Sequence, residues 1–301
     1  MNLHLLRLFA TVAERGSFSR AAEALRVGQP AVSKGVKELE AQVGLPLLER
    51  APGPVVPTDA GAALLVHARA IFASEREAEE ALAAIAGISA GTLRVGASTT
   101  IATWIIPPFL ARFRGAHPRV ELKLVSANTA SIARLTIERE IDVALVEGPV
   151  DDPRLRAEAW RTDELVLVVG AGHAFSKRRR SISPADLGET LVLLREEGSG
   201  TREVVRSALG SHGVVLRQTM EIGSTEAIKQ AVAAGLGASF VSRSAAEDQV
   251  ALGRLRIIPL AGIRIRRPIR MLSIPGRTPS PAAAAFDALL RTPAARGPGG
   301  L

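Results

Sequence analysis

The sequence predicts an α/β chain headed by an all-α winged helix-turn-helix, joined through a long linker helix to a C-terminal α/β domain. Three observations carry that prediction. Residues 17 to 40 read as two short helices separated by three residues. A single amphipathic helix begins at Thr58. From residue 92 to about 292, short apolar strands alternate with helices.

The reader comes first. Ser17-Phe18-Ser19-Arg20-Ala21-Ala22-Glu23-Ala24-Leu25 gives one helix and Arg26-Val27-Gly28 a tight break. Gln29-Pro30-Ala31-Val32-Ser33-Lys34, running on to Leu39-Glu40, gives the second. Helices joined over so short a distance cross steeply, which is how such a unit presents one helix to the DNA major groove. Val32, Val36, Leu39 and Val43 form one apolar face. Leu5, Leu8, Phe9 and Val12 form another on a preceding helix, and Ala21, Ala22 and Leu25 a third. The opposite face of the second helix shows Gln29, Pro30, Ser33, Lys34 and Lys37. Gln can pair bidentately with adenine, Ser can meet base or phosphate, and Lys can reach guanine or phosphate. Ser19 and Arg20, on the first helix, join this DNA-contacting set. Pro30 stands in the first helical turn, where a missing N–H costs nothing. A plain helical hairpin with a polar outer face is the alternative at this point.

Leu47-Leu48-Glu49-Arg50 and Val55-Val56-Pro57 read as two short strands around Pro52-Gly53-Pro54, a wing that brings Arg50 to phosphate; the alternative is a loop, since prolines shorten strands. Thr58 is a good N-cap, with Asp59 in the first turn. Leu64, Ala68, Ile71, Ala78, Leu82 and Ile85 then share a seam of near-heptad spacing, interrupted by Glu75. Such a stripe needs a partner: a second copy, or the body of its own chain. Gly87 to Gly91 ends the helix.

Beyond it, strands are expected at 93–97, 120–126, 143–146, 165–169, 191–194, 220–222 and 238–241. Helices are expected over 101–114 and 132–138, and from Thr201 and Thr225. The apolar runs are short and continuous, as in parallel strands covered on both faces. Layers of this kind bind ligands at the carboxyl ends of their strands. Four turns there are rich in hydroxyls: Ser98-Thr99-Thr100, Asn128-Thr129, Ser199-Gly200-Thr201-Arg202 and Ser224-Thr225. Hydroxyls and free N–H groups at helix starts receive carboxylate, sulfate or phosphate, or they simply cap the helices. Glu147, at a strand end, also faces this cleft and opposes an anion unless Arg202 offsets it.

Composition bounds the function. The 301 residues carry a net charge of +8. Residues 1–60 hold seven Lys/Arg against six Asp/Glu, residues 61–253 hold 22 against 23, and residues 254–301 hold nine Arg against one Asp. The basic excess therefore lies far from the reader, and the near-neutral reader points to multimeric binding, because phosphate neutralisation supplies much of the affinity for DNA. There is no cysteine, hence no disulfide. No apolar run is long enough for a membrane span, and the start lacks a cleavable signal pattern, so a cytoplasmic location is expected. His4, His67, His117, His173 and His212 are scattered without metal spacing. No Walker loop or nucleophile elbow is present. An enzyme, a metal and a cofactor are therefore not expected. A solute-binding transport protein, the other rival, would not carry the reader. Lys177-Arg178-Arg179-Arg180 reads as a solvated loop, and Arg264, Arg266 and Arg267 as charge on a strand edge.

The chain resembles the LysR-type transcriptional regulators. The resemblance is carried by Ala21-Ala22, Leu25, Gln29-Pro30-Ala31-Val32-Ser33, Leu39-Glu40, Gly44, Pro46-Leu47, Glu49-Arg50 and Pro57-Thr58-Asp59-Ala60-Gly61. It departs at Gly28, where a serine cap is usual, at Leu48, where phenylalanine is usual, and at Gly35. There a longer residue would supply a base or phosphate contact. The resemblance implies a type II periplasmic-binding-protein-like fold with two crossover strands, near Trp160–Asp163 and Arg266–Ile269. It implies a DNA-binding domain over 1–58, a linker and dimerisation helix over 59–90, and an effector-binding domain over 91–292. Lobe I would be 91–162 with 266–292, lobe II 163–265, and 293–301 a disordered tail. It further implies operator DNA, a small-molecule effector, an anion by the turns above, and a homodimer or homotetramer, with RNA polymerase a further candidate partner. The second-domain motifs Gly96-Ala97-Ser98-Thr99-Thr100, Val146-Glu147-Gly148-Pro149, Gly198-Ser199-Gly200-Thr201-Arg202 and Gly223-Ser224-Thr225-Glu226-Ala227-Ile228-Lys229-Gln230 look closest to regulators of sulfur-assimilation and carbon-fixation genes.

Overall fold

The computed structural model describes residues 1–49, 53–85, 91–177 and 181–292. Arg50, most of the glycine-flanked break after the linker helix, the three arginines after Lys177 and the 293–301 tail lie outside these residues. The chain forms two compact units, of which the first spans Met1–Glu79.

In the first unit, α1 (Leu3–Arg15), α2 (Phe18–Leu25) and α3 (Gln29–Val43) are each delimited by local chemistry. The Ser17 hydroxyl accepts the Arg20 N–H to start α2. Arg26 ends α2 in the left-handed region at φ 56°, with its N–H on the Ala22 and Glu23 carbonyls. Gly28 starts α3 without a side-chain cap, and Gly44 closes it at φ 72°. The three apolar faces meet as the spacing predicts, with Phe9, Val12, Ala21, Val32 and Leu39 fully buried. Val43, assigned to that face, is exposed, because the helix ends there. Gly35 also departs from expectation. It lies on the buried face, where a Cβ would stand 2.2 Å from Leu8 Cδ1. It marks the close approach of α1 and α3, not a lost DNA contact.

Among the described residues the wing consists of one bridge between Leu48 and Pro57, with the Glu49 N–H on the Val56 carbonyl at 2.9 Å. Pro46, Pro54 and Pro57 deny the ladder its donors. Thr58 does cap α4 (Asp59–Ile85), accepting the Gly61 N–H at 3.0 Å. The first half of α4 belongs to the reader's own core. Leu65 and Ala68 are buried in it, and Leu64 and Ile71 pack against it. The Arg7 guanidinium lies over the Phe72 ring and pairs with Glu75, while Arg69 pairs with Glu14 at 3.1 Å. Of the expected seam, Ala78 and Leu82 are exposed.

The second unit alternates strand and helix. In order it contains β1 (Gly91–Ser98), α5 (Pro107–Ala116), β2 (Val120–Ala127), α6 (Thr129–Ile137), β3 (Val143–Glu147) and β4 (Arg156–Gly170). There follow α7 (Pro184–Gly188), β5 (Leu191–Leu194), α8 (Gly200–Gly210), β6 (Gln218–Glu221) and α9 (Thr225–Ala233). It closes with β7 (Ala238–Ser242), α10 (Arg243–Ala251), β8 (Leu255–Ile258), β9 (Ile265–Ser273) and α11 (Pro281–Arg291). The expected single helix over 101–114 is broken into a π-helical turn, Ile101–Ile105, and α5, because Pro107 and Pro108 have no N–H to continue the ladder. The described strands form one sheet, β2-β1-β3-β9-β4-β7-β5-β6, with β8 also on β4. The β1–β2, β1–β3, β5–β6 and β5–β7 pairs are parallel, and β4 and β9 run antiparallel through both lobes. Both crossings fall inside β4 and β9, as expected. A register shift between Ala159 and Arg161 accompanies the turn of Trp160 toward α11, where its Nε1–H donates to the Leu290 carbonyl at 2.8 Å.

Candidate functional site

On α3 the polar residues of the reader fall where a groove could receive them. Gln29, Pro30, Lys34 and Lys37 are exposed, as are Ser19 and Arg20 on α2, and Ser33 is half-buried. Gln29, Ser33 and Lys37 recur at four-residue steps along one side of the helix. Arg50 lies outside the described residues.

The second unit gathers its polar groups at the carboxyl ends of the strands. Glu147, which ends β3, is 2 % exposed. The Ser98 hydroxyl donates to its carboxylate, and the Thr100 hydroxyl also bonds to it. The Thr129 hydroxyl donates to the Glu147 carbonyl at 2.7 Å. At the crossing of β9 over β4 stands Arg267, paired in register with Asp163 and 1 % exposed. Its Nη1 lies 3.4 Å from Glu147 Oε1 and donates to Thr201 Oγ1 at 2.8 Å. Its Nε and Nη2 reach Asp163 Oδ2 at 2.8 and 2.7 Å, and Ser242 donates to Asp163 Oδ1 at 2.8 Å. Two carboxyl groups thus share one guanidinium in a buried tie at the crossing strands. Burial pushes the Glu147 carboxyl above its ordinary value, against the opposing pull of Arg267 and Thr100.

A second group lies toward α8 and α9. Arg195 follows β5, is 5 % exposed, and forks onto Glu196 at 2.7 and 2.8 Å while donating to Thr225 Oγ1 at 2.8 Å. Burial alone would raise the Glu196 pKa, but the hydrogen bond and charge of Arg195 hold it lower. Asn128, from lobe I, donates to the Glu197 carbonyl at 3.4 Å, and the Ala130 N–H donates to the Gly198 carbonyl at 3.2 Å. Across the cleft Lys229 Nζ sits 4.8 Å from the centre of the Trp104 ring and bonds to the Ala245 carbonyl and Glu226.

Of the expected ligand residues, Ser98, Thr100, Thr129, Glu147, Ser199, Thr201 and Thr225 are buried at the strand ends, with Thr99 and Asn128 half-buried beside them. Two do not join them. The exposed Ser224 hydroxyl caps α9 through the Ala227 N–H. The Arg202 guanidinium turns to the Arg195 carbonyl and Glu221, so Arg267, not Arg202, balances Glu147. The reading of Arg267 as strand-edge charge is overturned: β9 lies inside the sheet, between β3 and β4. Its signal was present in the sequence, for Arg267 shares the two-residue phase of Ile265 and Ile269, both buried. Asp163, Arg195, Ser242 and Lys229 carried no comparable mark. Among the described residues no group of three His, Cys, Asp or Glu is placed to hold a metal ion, and no helix is long and apolar enough to cross a membrane.

With this geometry in place, comparison with known proteins is informative. Residues 3–62 match the family model for the bacterial regulatory helix-turn-helix protein, lysR family, and residues 86–294 that for the LysR substrate binding domain. The RuBisCO operon transcriptional regulator of Allochromatium vinosum is 36 % identical over 296 residues, 98 % of this chain and 97 % of that protein. A full-length OxyR from Pseudomonas aeruginosa superposes with a TM-score of 0.75 at 25 % identity, covering 96 % of this chain and 93 % of that one. The CcmR regulatory domain of Synechocystis PCC6803, solved in complex with 2-PG, gives 0.62 at 29 % identity over 67 % of this chain and 96 % of that one.

Proposed function

Since this chain belongs to the LysR family of transcriptional regulators, we propose that it controls carbon-fixation genes in the cytoplasm in response to a small anion held between its lobes. The observation that carries the reading is the convergence of buried hydroxyls and helix starts from opposite lobes, Ser98, Thr100 and Thr129 from one side and Ser199 and Thr201 from the other. Such groups suit a carboxylate or phosphate. The named relatives supply the gene class, and the 2-PG of the CcmR complex supplies a probe.

The anion takes over hydroxyls that Glu147 now occupies. Two anions cannot share them, so Glu147 takes up a proton as the ligand enters; Arg267 and Asp163 are the other charged groups that face it. The lobes then move about β4 and β9. Two copies pair through α4, whose Leu82 is 67 % exposed, and pairs assemble into a tetramer through their second units. A two-fold pair reads matching half-sites with Gln29, Ser33, Lys34 and Lys37, and lobe movement changes the spacing of the readers. RNA polymerase would sense the resulting DNA geometry.

The test is footprinting of the full chain on the DNA upstream of a RuBisCO operon, at fixed salt, with and without 2-PG. A protected pair of half-sites whose boundary changes with 2-PG is expected. Protection that is equal on unrelated duplexes overturns the DNA reading. A footprint indifferent to 2-PG and to a panel of small anions overturns the effector reading.

A further inference from the structure

A second cavity of about 370 Å³ lies wholly within lobe II, between α8 and the β5–β6 edge. Arg202 and Arg206, four residues apart on one face of α8, line it on one side and Thr219 of β6 on another. Leu194, Leu209, Val214 and Leu216 complete the lining. The polar groups here are incompletely satisfied. Arg202 Nε is buried with no acceptor, although Nη1 of the same side chain serves the Arg195 carbonyl and Glu221. A buried donor without an acceptor is costly and rare in native proteins. Arg206 is exposed and makes no ion pair among the described residues. Glu221, at the rim, offsets Arg202, which leaves Arg206 as the uncompensated charge.

We propose that this cavity is a second ligand site, separate from the interlobe cleft, for an amphipathic organic anion. A carboxylate or phosphate head would accept from the guanidinium groups of Arg202 and Arg206 and from the Thr219 hydroxyl, and a short aliphatic part would cover Leu209, Val214 and Leu216. The site sits on the turn that carries Arg195. Arg202 Nη1 holds the Arg195 carbonyl, and Arg195 holds Glu196 and Thr225 at the cleft. An anion that draws on Arg202 therefore reports to the cleft through the β5–α8 turn, and occupancy of one site changes affinity at the other.

The experiment is methyl NMR of the full chain labelled at Leu and Val, titrated with inorganic phosphate in one arm and butyrate in the other. Saturable shifts at Leu209, Val214 and Leu216 are expected with butyrate at millimolar concentration. Phosphate should shift them less, because it lacks the apolar part. Arg206→Gln and Thr219→Val should each weaken butyrate binding by about tenfold. Shifts that do not saturate, or that are the same in both variants, overturn the site. So do shifts confined to cleft methyls, because they place butyrate between the lobes only. Should a variant misfold, the saturable wild-type shifts still decide the matter.

Discussion

Gly200, which opens α8, packs so closely on the Glu147 main chain that a Cβ on it would stand 1.7 Å from the Glu147 carbonyl oxygen. The same Cβ would stand 2.7 Å from the Thr129 hydroxyl. The obstacle is backbone, which cannot rotate away as a side chain can. Gly200→Ala should therefore wedge the lobes apart at this edge and cost about 1–3 kcal/mol of stability. The variant should melt earlier than the parent, and its footprint should no longer change with effector. A variant that melts with the parent and still responds to effector would show that the lobes separate here without strain.

Glu147 gives a pH dependence whose sign is fixed. Its folded pKa is raised, so in the window between the ordinary carboxylate value and the raised one the native state holds a proton that the unfolded chain has released. Stability then falls as pH rises through that window. Arg267 and Asp163, the charged neighbours, oppose and reinforce the shift respectively. Glu147→Gln should abolish this slope in urea melts of the full chain taken at a series of pH values. The same substitution should tighten binding of an anion in the cleft and remove its preference for low pH, measured by calorimetry in buffers of different ionisation enthalpy. Unaltered proton uptake in Glu147→Gln would move the coupling to another group.

Among the described residues Arg267 is the single cation paired with both Glu147 and Asp163, and removing it leaves two buried carboxyl groups without it. Arg267→Gln should cost about 3–5 kcal/mol, the range for breaking a buried pair. Adding Asp163→Asn and Glu147→Gln should recover part of the loss, since the penalty comes from orphaned charge. Arg267→Lys should rescue poorly, because an ammonium cannot serve Asp163, Thr201 and Glu147 as a planar fork does. Denaturant melts of the four single variants Arg267→Gln, Arg267→Lys, Asp163→Asn and Glu147→Gln and of the combined Arg267→Gln/Asp163→Asn/Glu147→Gln variant form the test, and additive losses would refute the tie.

Much of the fold is legible in the sequence. Hydroxyl-rich turns at strand ends mark where the buried Glu147 and Arg267 meet, and three- and four-residue apolar steps mark the core of the reader. What escaped reading was tertiary. Gly35 looks like a missing contact until α1 is placed against it, because helical periodicity cannot say how near a neighbour comes. The two wing segments pair as expected, but only through Leu48, Pro57 and the Glu49–Val56 hydrogen bond among the described residues, since prolines decide the extent of pairing only once both strands are aligned. Half of the α4 seam is spent on its own core, as Leu64, Ala68 and Ile71 show, and an apolar stripe does not name its partner. Asp163 and Arg267 lie 104 residues apart, and only the antiparallel register of β4 and β9 brings them together.

The exposed face of α3 divides into positions that should read bases and positions that should only hold the backbone. Lys34 is exposed and no side chain engages it among the described residues, so it is free to neutralise a phosphate. Lys34→Ala should weaken binding to all sequences alike and lower the slope of log K against log salt by about one per reader. Gln29, at the first turn of the same helix, can offer both an acceptor and a donor to adenine. Gln29→Ala should leave the salt slope unchanged while costing about 1–3 kcal/mol of discrimination at one base pair of each half-site. Competition titrations on operator duplexes substituted one pair at a time separate the two effects. A uniform loss with Gln29→Ala, or a sequence-dependent one with Lys34→Ala, would exchange their roles.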